Sequence, residues 1–361
     1  MNGRLKSISK KEDGQMAANG TIQRAISTLI GGGNLSRDEA REVMLSVMDG
    51  EATPAQIGSV MTAMRIKGET IEEVTGFAEA MRLKATSVQT IQDNLLDTCG
   101  TGGDGAGTFN ISTASAIVAA AGGIRVAKHG NRAMSSSSGS ADVLEALGVN
   151  IELDGGQAAE CLDQIGICFM YAQRYHQSMK HAAGPRRELG VRTVFNLLGP
   201  LTNPAGADRQ VLGVFERGKT ELVAEVLGAL GLKRAVVVSS YDGLDEISIS
   251  APTQVTELKN GTVNTYTVTP DDLGLQTYSL QDIQGGNAAE NAEIIRTIFT
   301  GATGAHREIV LANAGACFYV TGIAGTLQEG VKVAADVIDS GKAMEKLQQL
   351  AHYTGDLSYV S

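Results

Sequence analysis

Between Asn19 and Val88, apolar residues recur at the three-and-four spacing of amphipathic helices, and three of the helix starts carry one reciprocal capping pattern. Ser36 with Glu39, Thr53 with Gln56 and Thr70 with Glu73 each fit S/T-x-x-E/Q, in which the two side chains satisfy N–H groups that a first helical turn leaves free. Pro54 stands at the first helical position, where its missing N–H costs nothing. Behind these caps Ile57, Val60, Met61 and Met64 make one apolar face, and Val74, Phe77 and Met81 another. The segment is predicted to be a small helical bundle, whose methionines fill a core or face a partner.

From Leu95 the texture changes to short β-branched runs alternating with Ala-rich stretches and glycines. Ile124 to Ala127, Val149 to Leu153, Val211 to Phe215 and Ala235 to Ser239 are predicted strands, and a helix over 139–147 ends at Gly148. This alternation implies an α/β unit with a mostly parallel central sheet covered by helices. One stretch breaks the rhythm: Arg174 to Asn196 is basic and helical in character, and Pro200 and Pro204 then force a loop. Such a segment can return to the bundle and lend cations to a ligand cleft. The expected organisation is a tail over 1–18, native or added, a helical domain over 19–88 joined by 174–196, and an α/β domain over 89–173 and 197–361.

A chain of 361 residues can bury a large core, and its net charge of -10 argues against a nucleic-acid or acidic-membrane partner. The four cysteines, Cys99, Cys161, Cys168 and Cys317, show neither a C-x-x-C pair nor zinc spacing, which suits a reduced, intracellular protein. No run of about 18 apolar residues is present, and the start lacks the apolar core of a secretory signal.

The chemistry concentrates in two turns. Gly100, Gly102 and Gly103 follow a strand-like run, and Asp104, Thr108, Asn110, Ser112 and Thr113 lead into a helix. Glycines let the backbone approach a ligand, and free N–H groups at a helix start favour an anion. Ser112 suits Mg²⁺ or helix capping, and Asp104 beside phosphate implies a metal, a sugar hydroxyl or a cap. The second turn offers Lys128, Asn131, Ser135, Ser136 and Ser140, with His129 as a proton carrier or a brace. Two anion cradles point to a doubly phosphorylated ligand. Asp245 and Glu246 follow another strand, where hard cations or plain solvent are both normal company for carboxylates. Arg186 and Arg187 either match a ligand carboxylate or line a solvated helix face.

GTGGDG, TFNIST, VAKHGNR, SGSADVLEALGVNI, RRELGVRTVFNLLGPLTNPAG and DGLDEI, in this order, resemble the anthranilate phosphoribosyltransferase family, and the likeness runs from Asn19 to the C-terminus. The resemblance implies a cytoplasmic homodimer that joins anthranilate to 5-phosphoribosyl 1-diphosphate (PRPP) with two Mg²⁺ ions per subunit. It implies that Gly100, Gly103, Asp104, Thr108, Asn110, Ile111, Ser112 and Thr113 surround PRPP, together with Lys128, His129, Gly130, Asn131, Arg132, Ala133, Met134, Ser135, Ser136 and Ser140. Ser112, Asp245 and Glu246 would hold the metal. Gly100, Asn131, Arg186, His129 and His176 would meet anthranilate, with Arg186 opposite its carboxylate. The sequence departs from the family at YAQRYHQSMKH, where Gln173 and Gln177 stand in place of prolines that stiffen the acceptor channel.

An aromatic amine is neutral near pH 7, so its attack on the ribose C1 needs no base first. Catalysis is then positioning plus stabilisation of the departing diphosphate, with Lys128 as the electrostatic contributor. A pyrimidine nucleoside phosphorylase is the nearest enzymatic alternative and would use inorganic phosphate; a nucleic-acid-binding relative would show a basic surface. The acidic chain with GTGGD and DGLDE motifs favours the diphosphate donor.

Overall fold

A computed structural model describes residues 20–133 and 137–357, so the predicted tail and Met134, Ser135 and Ser136 lie outside the described residues. In chain order the helices are α1 (residues 20–30), α2 (Arg37–Met48), α3 (Pro54–Lys67), α4 (Ile71–Lys84), α5 (Ile111–Ala121), α6 (Ser140–Ala146), α7 (Gly155–Ile165) and α8 (Ala172–Tyr175). They continue as α9 (Lys180–Leu189), α10 (Phe195–Leu198), α11 (Thr220–Ala229), α12 (Ala288–Phe299), α13 (Ala305–Thr321), α14 (Leu327–Asp339) and α15 (Lys342–Leu357). The strands are β1 (Leu96–Gly100), β2 (Val126–Gly130), β3 (Ile167–Tyr171), β4 (Arg209–Gly213), β5 (Arg234–Ser240), β6 (Thr253–Lys259) and β7 (Thr262–Val268). The chain divides into two compact units, 1–85 with 176–202 and 86–175 with 203–361.

In the helical unit all three predicted capping boxes form, at the starts of α2, α3 and α4. Glu73 does more than cap. Fully buried, it accepts from Leu35 N at 2.9 Å and from Lys67 Nζ at 3.0 Å, tying the loop before α2 to the end of α3. Met44, Met61, Met64 and Met81 are buried, so these methionines pack the core of the unit.

The second unit is built on one seven-stranded sheet in the order β3-β2-β1-β4-β5-β6-β7. The first five strands are parallel, and β6 and β7 add antiparallel at one edge. β5 (RAVVVSS) reads as a continuous apolar run because both faces of a parallel strand are covered. Ala-rich α5 is buried almost all round, as a helix enclosed on every side must be. The β6–β7 hairpin turns on Asn260 and Gly261, both at positive φ (54° and 75°), the geometry an Asn-Gly pair favours.

Three predicted strands and the 139–147 helix are present with edges shifted by a few residues, as β2, β4, β5 and α6. Val149 to Leu153 is not a strand. Its Val149, Ile151 and Leu153 are buried, but Asn150 binds the end of α15 through Thr354 Oγ1 at 3.1 Å, so the segment satisfies its main chain against a helix.

Candidate active site

β1 lies between β2 and β4, and the chain moves to opposite sides of the sheet from these two central strands, which makes the gap between the ends of β1 and β4 a switch point of the topology. Ligands on open α/β sheets gather there, beyond the carboxyl ends of the strands. The two strands end in register on glycine, Gly100 opposite Gly213. Across both ends lies Asp245, and neither glycine could carry a side chain: a Cβ on Gly213 would sit 1.5 Å from the Asp245 carbonyl oxygen, and one on Gly100 2.3 Å from its Oδ2.

The loop after β1 bends through Gly102, Gly103, Gly105 and Gly107, all at left-handed φ between 67° and 78°. Gly102 N donates to Asp245 Oδ2 at 2.7 Å, and Ala106 N to Asp104 Oδ1 at 3.1 Å. Burial and the neighbouring Asp104 carboxylate push the Asp245 carboxyl up to about 7. Glu246 is pushed well above the carboxylate range by burial and by Asp245, although it accepts from the main-chain N–H of Ser112 at the start of α5 and Lys128 opposes the rise.

These groups fit a divalent cation. Two adjoining carboxyls, with Asp104 close by, are costly to ionise without one, and Ser112 stands beside them, its main-chain N–H on Glu246 and its hydroxyl on Lys128 Nζ. Among the described residues no three His, Cys, Asp or Glu side chains converge as an all-protein metal centre would. Mg²⁺ held by one or two carboxylates and completed by substrate phosphates does not need them.

Lys128, expected as an electrostatic contributor, is turned into the protein. It is 3 % exposed, and its Nζ donates to Thr98 O at 2.5 Å and to Ser112 Oγ at 3.3 Å. β1 and β2 pair only at Leu96 and Val126, and beyond that point side chains bridge them. Lys128 reaches Thr98 from one strand, while Asp97, fully buried on the other, accepts from His129 N at 3.1 Å and from the Asn203 amide. Burial raises the Asp97 carboxyl despite these bonds and the nearby Lys128 charge.

In the second turn Ala141 N and Ser140 Oγ both donate to the Asn131 carbonyl, at 3.1 and 3.2 Å. The guanidinium of Arg132 is not free for phosphate. It is held by Asp142 at 2.9 Å and by both oxygens of Glu145, while Arg132 N donates to Asn131 Oδ1 at 2.8 Å and Ala133 N to Asp142 Oδ2 at 3.0 Å, so these side-chain and main-chain donors brace the turn. Asn110 links the two turns through Ser138 O at 3.1 Å, and Asn291 on α12 donates to its Oδ1 at 3.0 Å. Ile111 and Thr113 are buried in α5, and their N–H groups already donate to Phe109 O at 2.8 Å and Asn110 O at 3.1 Å, while Gly103, Thr108 and Gly130 line the two turns. Met134, Ser135 and Ser136 lie outside the described residues.

The remaining acceptor candidates, Arg186 and His176, belong to the helical unit. Arg186 lies 5.2 Å from the Phe195 ring centroid, and burial lowers its proton affinity. Among the described residues no carboxylate pairs with it. His176, 8 % exposed, is pulled down to about 4 by burial and is neutral near pH 7. Gln173 and Gln177 are exposed. The thiols offer no nucleophile, since burial raises Cys99 and Cys168 well above their ordinary range and Cys161 and Cys317 to about 12.

Sequence reasoning missed Gly213, Asp97, Asn203 and Asn291. Only Gly213 carried a signal, as a glycine closing an apolar strand; the others are polar residues whose role depends on distant partners.

Both units match glycosyl transferase families: residues 23–85 the helical bundle domain and residues 92–344 the a/b domain. The anthranilate phosphoribosyltransferase of Acetivibrio thermocellus is 56% identical over 340 residues, 94% of this chain and 98% of that protein. The crystal structure of the Thermus thermophilus enzyme of the same name superposes with a TM-score of 0.88 at 43% identity, covering 91% of this chain and 99% of that one. The Saccharomyces cerevisiae enzyme in complex with PRPP and Mg superposes with a TM-score of 0.85 at 25% identity, covering 93% and 98%. The chain belongs to the anthranilate phosphoribosyltransferase family.

Proposed function

We propose that the protein transfers the 5-phosphoribosyl group of PRPP to the amine of anthranilate, giving N-(5-phosphoribosyl)anthranilate and diphosphate, a step of tryptophan biosynthesis. The observation that carries this reading is the acidic loop seated on Gly100 and Gly213 at the switch point, facing a glycine loop and the start of α5. Carboxylates there have no use for a bare phosphate, but they suit a diphosphate that arrives with its cation.

In this reading Ser112, Asp245 and Glu246 hold Mg²⁺, one or two ions per subunit, and Asp104 fixes the loop that meets the ribose diphosphate. Bound Mg²⁺ would offset the charge of the departing diphosphate. The glycine loop lets the phosphates approach the main chain, and the positive end of α5 favours their charge, with Lys128 adding charge from behind Ser112. Arg186 takes the anthranilate carboxylate, a bidentate match for a guanidinium without a carboxylate partner among the described residues. Asn131, Gly100, His129 and His176 border the acceptor, with His176 neutral. The attacking amine is already unprotonated, so no base is required for attack, and its proton leaves after the C1–N bond forms and the C1–O bond to diphosphate breaks.

The exposed Ile30, Ile66 and Leu83 of the helical unit suit coverage by a second copy, which light scattering would detect as a homodimer. Four free cysteines suit a cytoplasmic setting. Diphosphate release that requires anthranilate, PRPP and Mg²⁺ together supports the assigned reaction. Release of ribose phosphate from a pyrimidine nucleoside and inorganic phosphate instead would replace it with phosphorolysis.

A further inference from the structure

Asp245 and Glu246 sit in a loop that belongs to no strand, yet their carboxylates must hold one direction. On the strand side Leu244, Ile247 and Ile249 are fully buried and anchor the loop. Asp242 accepts from the hydroxyls of Ser240 and Ser248, the latter at 2.6 Å, and so ties together the two sides of the acidic segment. On the other side stands Asn313, 1 % exposed, in the middle of α13.

Its side-chain amide makes the pair of bonds that a neighbouring strand would make. Ile247 N donates to Asn313 Oδ1 at 2.9 Å, and Asn313 Nδ2 donates to Ile247 O at 3.0 Å. The second Nδ2 hydrogen goes to Ile309 O, one turn back, at 2.9 Å. One acceptor facing an N–H and two donors facing carbonyls leave only one orientation of the amide. Every polar atom is satisfied in an otherwise apolar interior, which fixes the main chain one residue beyond Glu246.

We propose that Asn313 is a positioning residue for the cation: it pins Ile247 and so sets the direction in which Asp245 and Glu246 present their carboxylates. The proposal rests on the reading of those two residues as metal ligands. It does not place Asn313 in contact with metal or substrate. Asn313→Leu keeps the approximate volume but leaves the Ile247 N–H and C=O unpaired in the interior, and Asn313→Gln keeps the amide but displaces it by one methylene.

The test is Mn²⁺ binding to the full chain in the presence of PRPP, followed by the electron paramagnetic resonance signal of free Mn²⁺. Phe318→Leu, a fully buried change on the same helix, serves as the control for general destabilisation. Loss of an outer partner of a metal ligand weakens affinity about 10- to 100-fold. We expect Mn²⁺ affinity to fall by about tenfold or more in Asn313→Leu, or in Asn313→Gln if the Leu variant does not fold, with wild-type affinity in Phe318→Leu. The apparent KM for anthranilate should stay within about twofold of wild type, because no acceptor contact is lost. Wild-type Mn²⁺ affinity in a folded Asn313 variant, or an equal loss in Phe318→Leu, would overturn the proposal while leaving the metal reading intact. Failure of the wild-type protein itself to bind Mn²⁺ with PRPP would refute the metal reading, and the proposal with it.

Discussion

Asp245→Asn should make the metal-free protein more stable at alkaline pH while disabling it. The Asp245 carboxyl has an ordinary value of 3.8 in the unfolded chain and is pushed up to about 7 by burial and by Asp104. Because the folded value is the higher one, the folded state holds a proton that the unfolded state has released. The contribution to stability is therefore full below pH 3.8 and is lost as pH rises towards about 7. At about 1.4 kcal/mol per pH unit the ceiling on the loss is about 4 kcal/mol. Asp104 is part of the same repulsion, so about half, roughly 2 kcal/mol, is assigned to Asp245 alone. Asparagine can still accept the Gly102 N–H bond but carries no charge. The difference in stability between variant and wild type should be near zero at pH 4 and grow to roughly 2 kcal/mol at pH 8, about 3 °C in Tm for a chain of 361 residues. Thermal unfolding in a chelator at pH 4, 6 and 8 measures it. With Mg²⁺ and PRPP added at pH 8 the order should reverse, since only the wild-type protein gains the full binding energy. A variant less stable than wild type at pH 8 in chelator, or a gap that does not change with pH, would refute the reasoning.

Arg186→Ala should raise the KM for anthranilate by about 10-fold or more, the size of one charge-assisted bond, with the KM for PRPP nearly constant; a change confined to PRPP would put this cation on the other substrate. Lys128→Ala should weaken PRPP binding in calorimetry and also destabilise the free protein by about 1–3 kcal/mol, because the buried ammonium donates to Thr98 O and Ser112 Oγ and its loss leaves the Thr98 carbonyl unpaired. Wild-type PRPP affinity and unchanged Tm would return Lys128 to a bystander. Gly213→Ala places a Cβ 1.5 Å from the Asp245 carbonyl, so the acidic loop must move. Turnover should fall at least 10²-fold, since displacement of reacting groups by about 1 Å costs that much, while circular dichroism stays close to wild type; full turnover would show that the loop has room.

The bundle was legible because its signals are local: Ser36, Thr53 and Thr70 cap within three residues of themselves, and no distant partner is needed to read them. The parallel core was legible where apolar runs are continuous, as in β5. β1 (LDTCG) was harder, since its buried Asp97 and Thr98 look polar until Lys128, His129 and Asn203 surround them. Val149 to Leu153 has a strand's alternation, and only the presence of α15 decides that its main chain binds a helix end. The β6–β7 hairpin carried its own mark in Asn260-Gly261, which went unread because the flanking threonines made neither strand apolar. In the candidate site, motif spacing singled out Asp104, Ser112 and Asp245, which the structure brings together near the ends of β1 and β4, but could not orient side chains. Arg132 is neutralised by Asp142 and Glu145 on the following helix, and Lys128 turns inward to Thr98; both outcomes depend on contacts that residue type does not encode.

PRPP binding measured by calorimetry across a Mg²⁺ titration, in wild type and in Asp245→Asn/Glu246→Gln, tests the central claim most directly. The wild-type protein should bind PRPP more tightly as Mg²⁺ rises. The double variant, folded and of equal or higher Tm in chelator, should lose that Mg²⁺ dependence and most turnover. A double variant whose PRPP affinity and turnover follow Mg²⁺ as the wild type does would contradict the assignment of this loop to the cation.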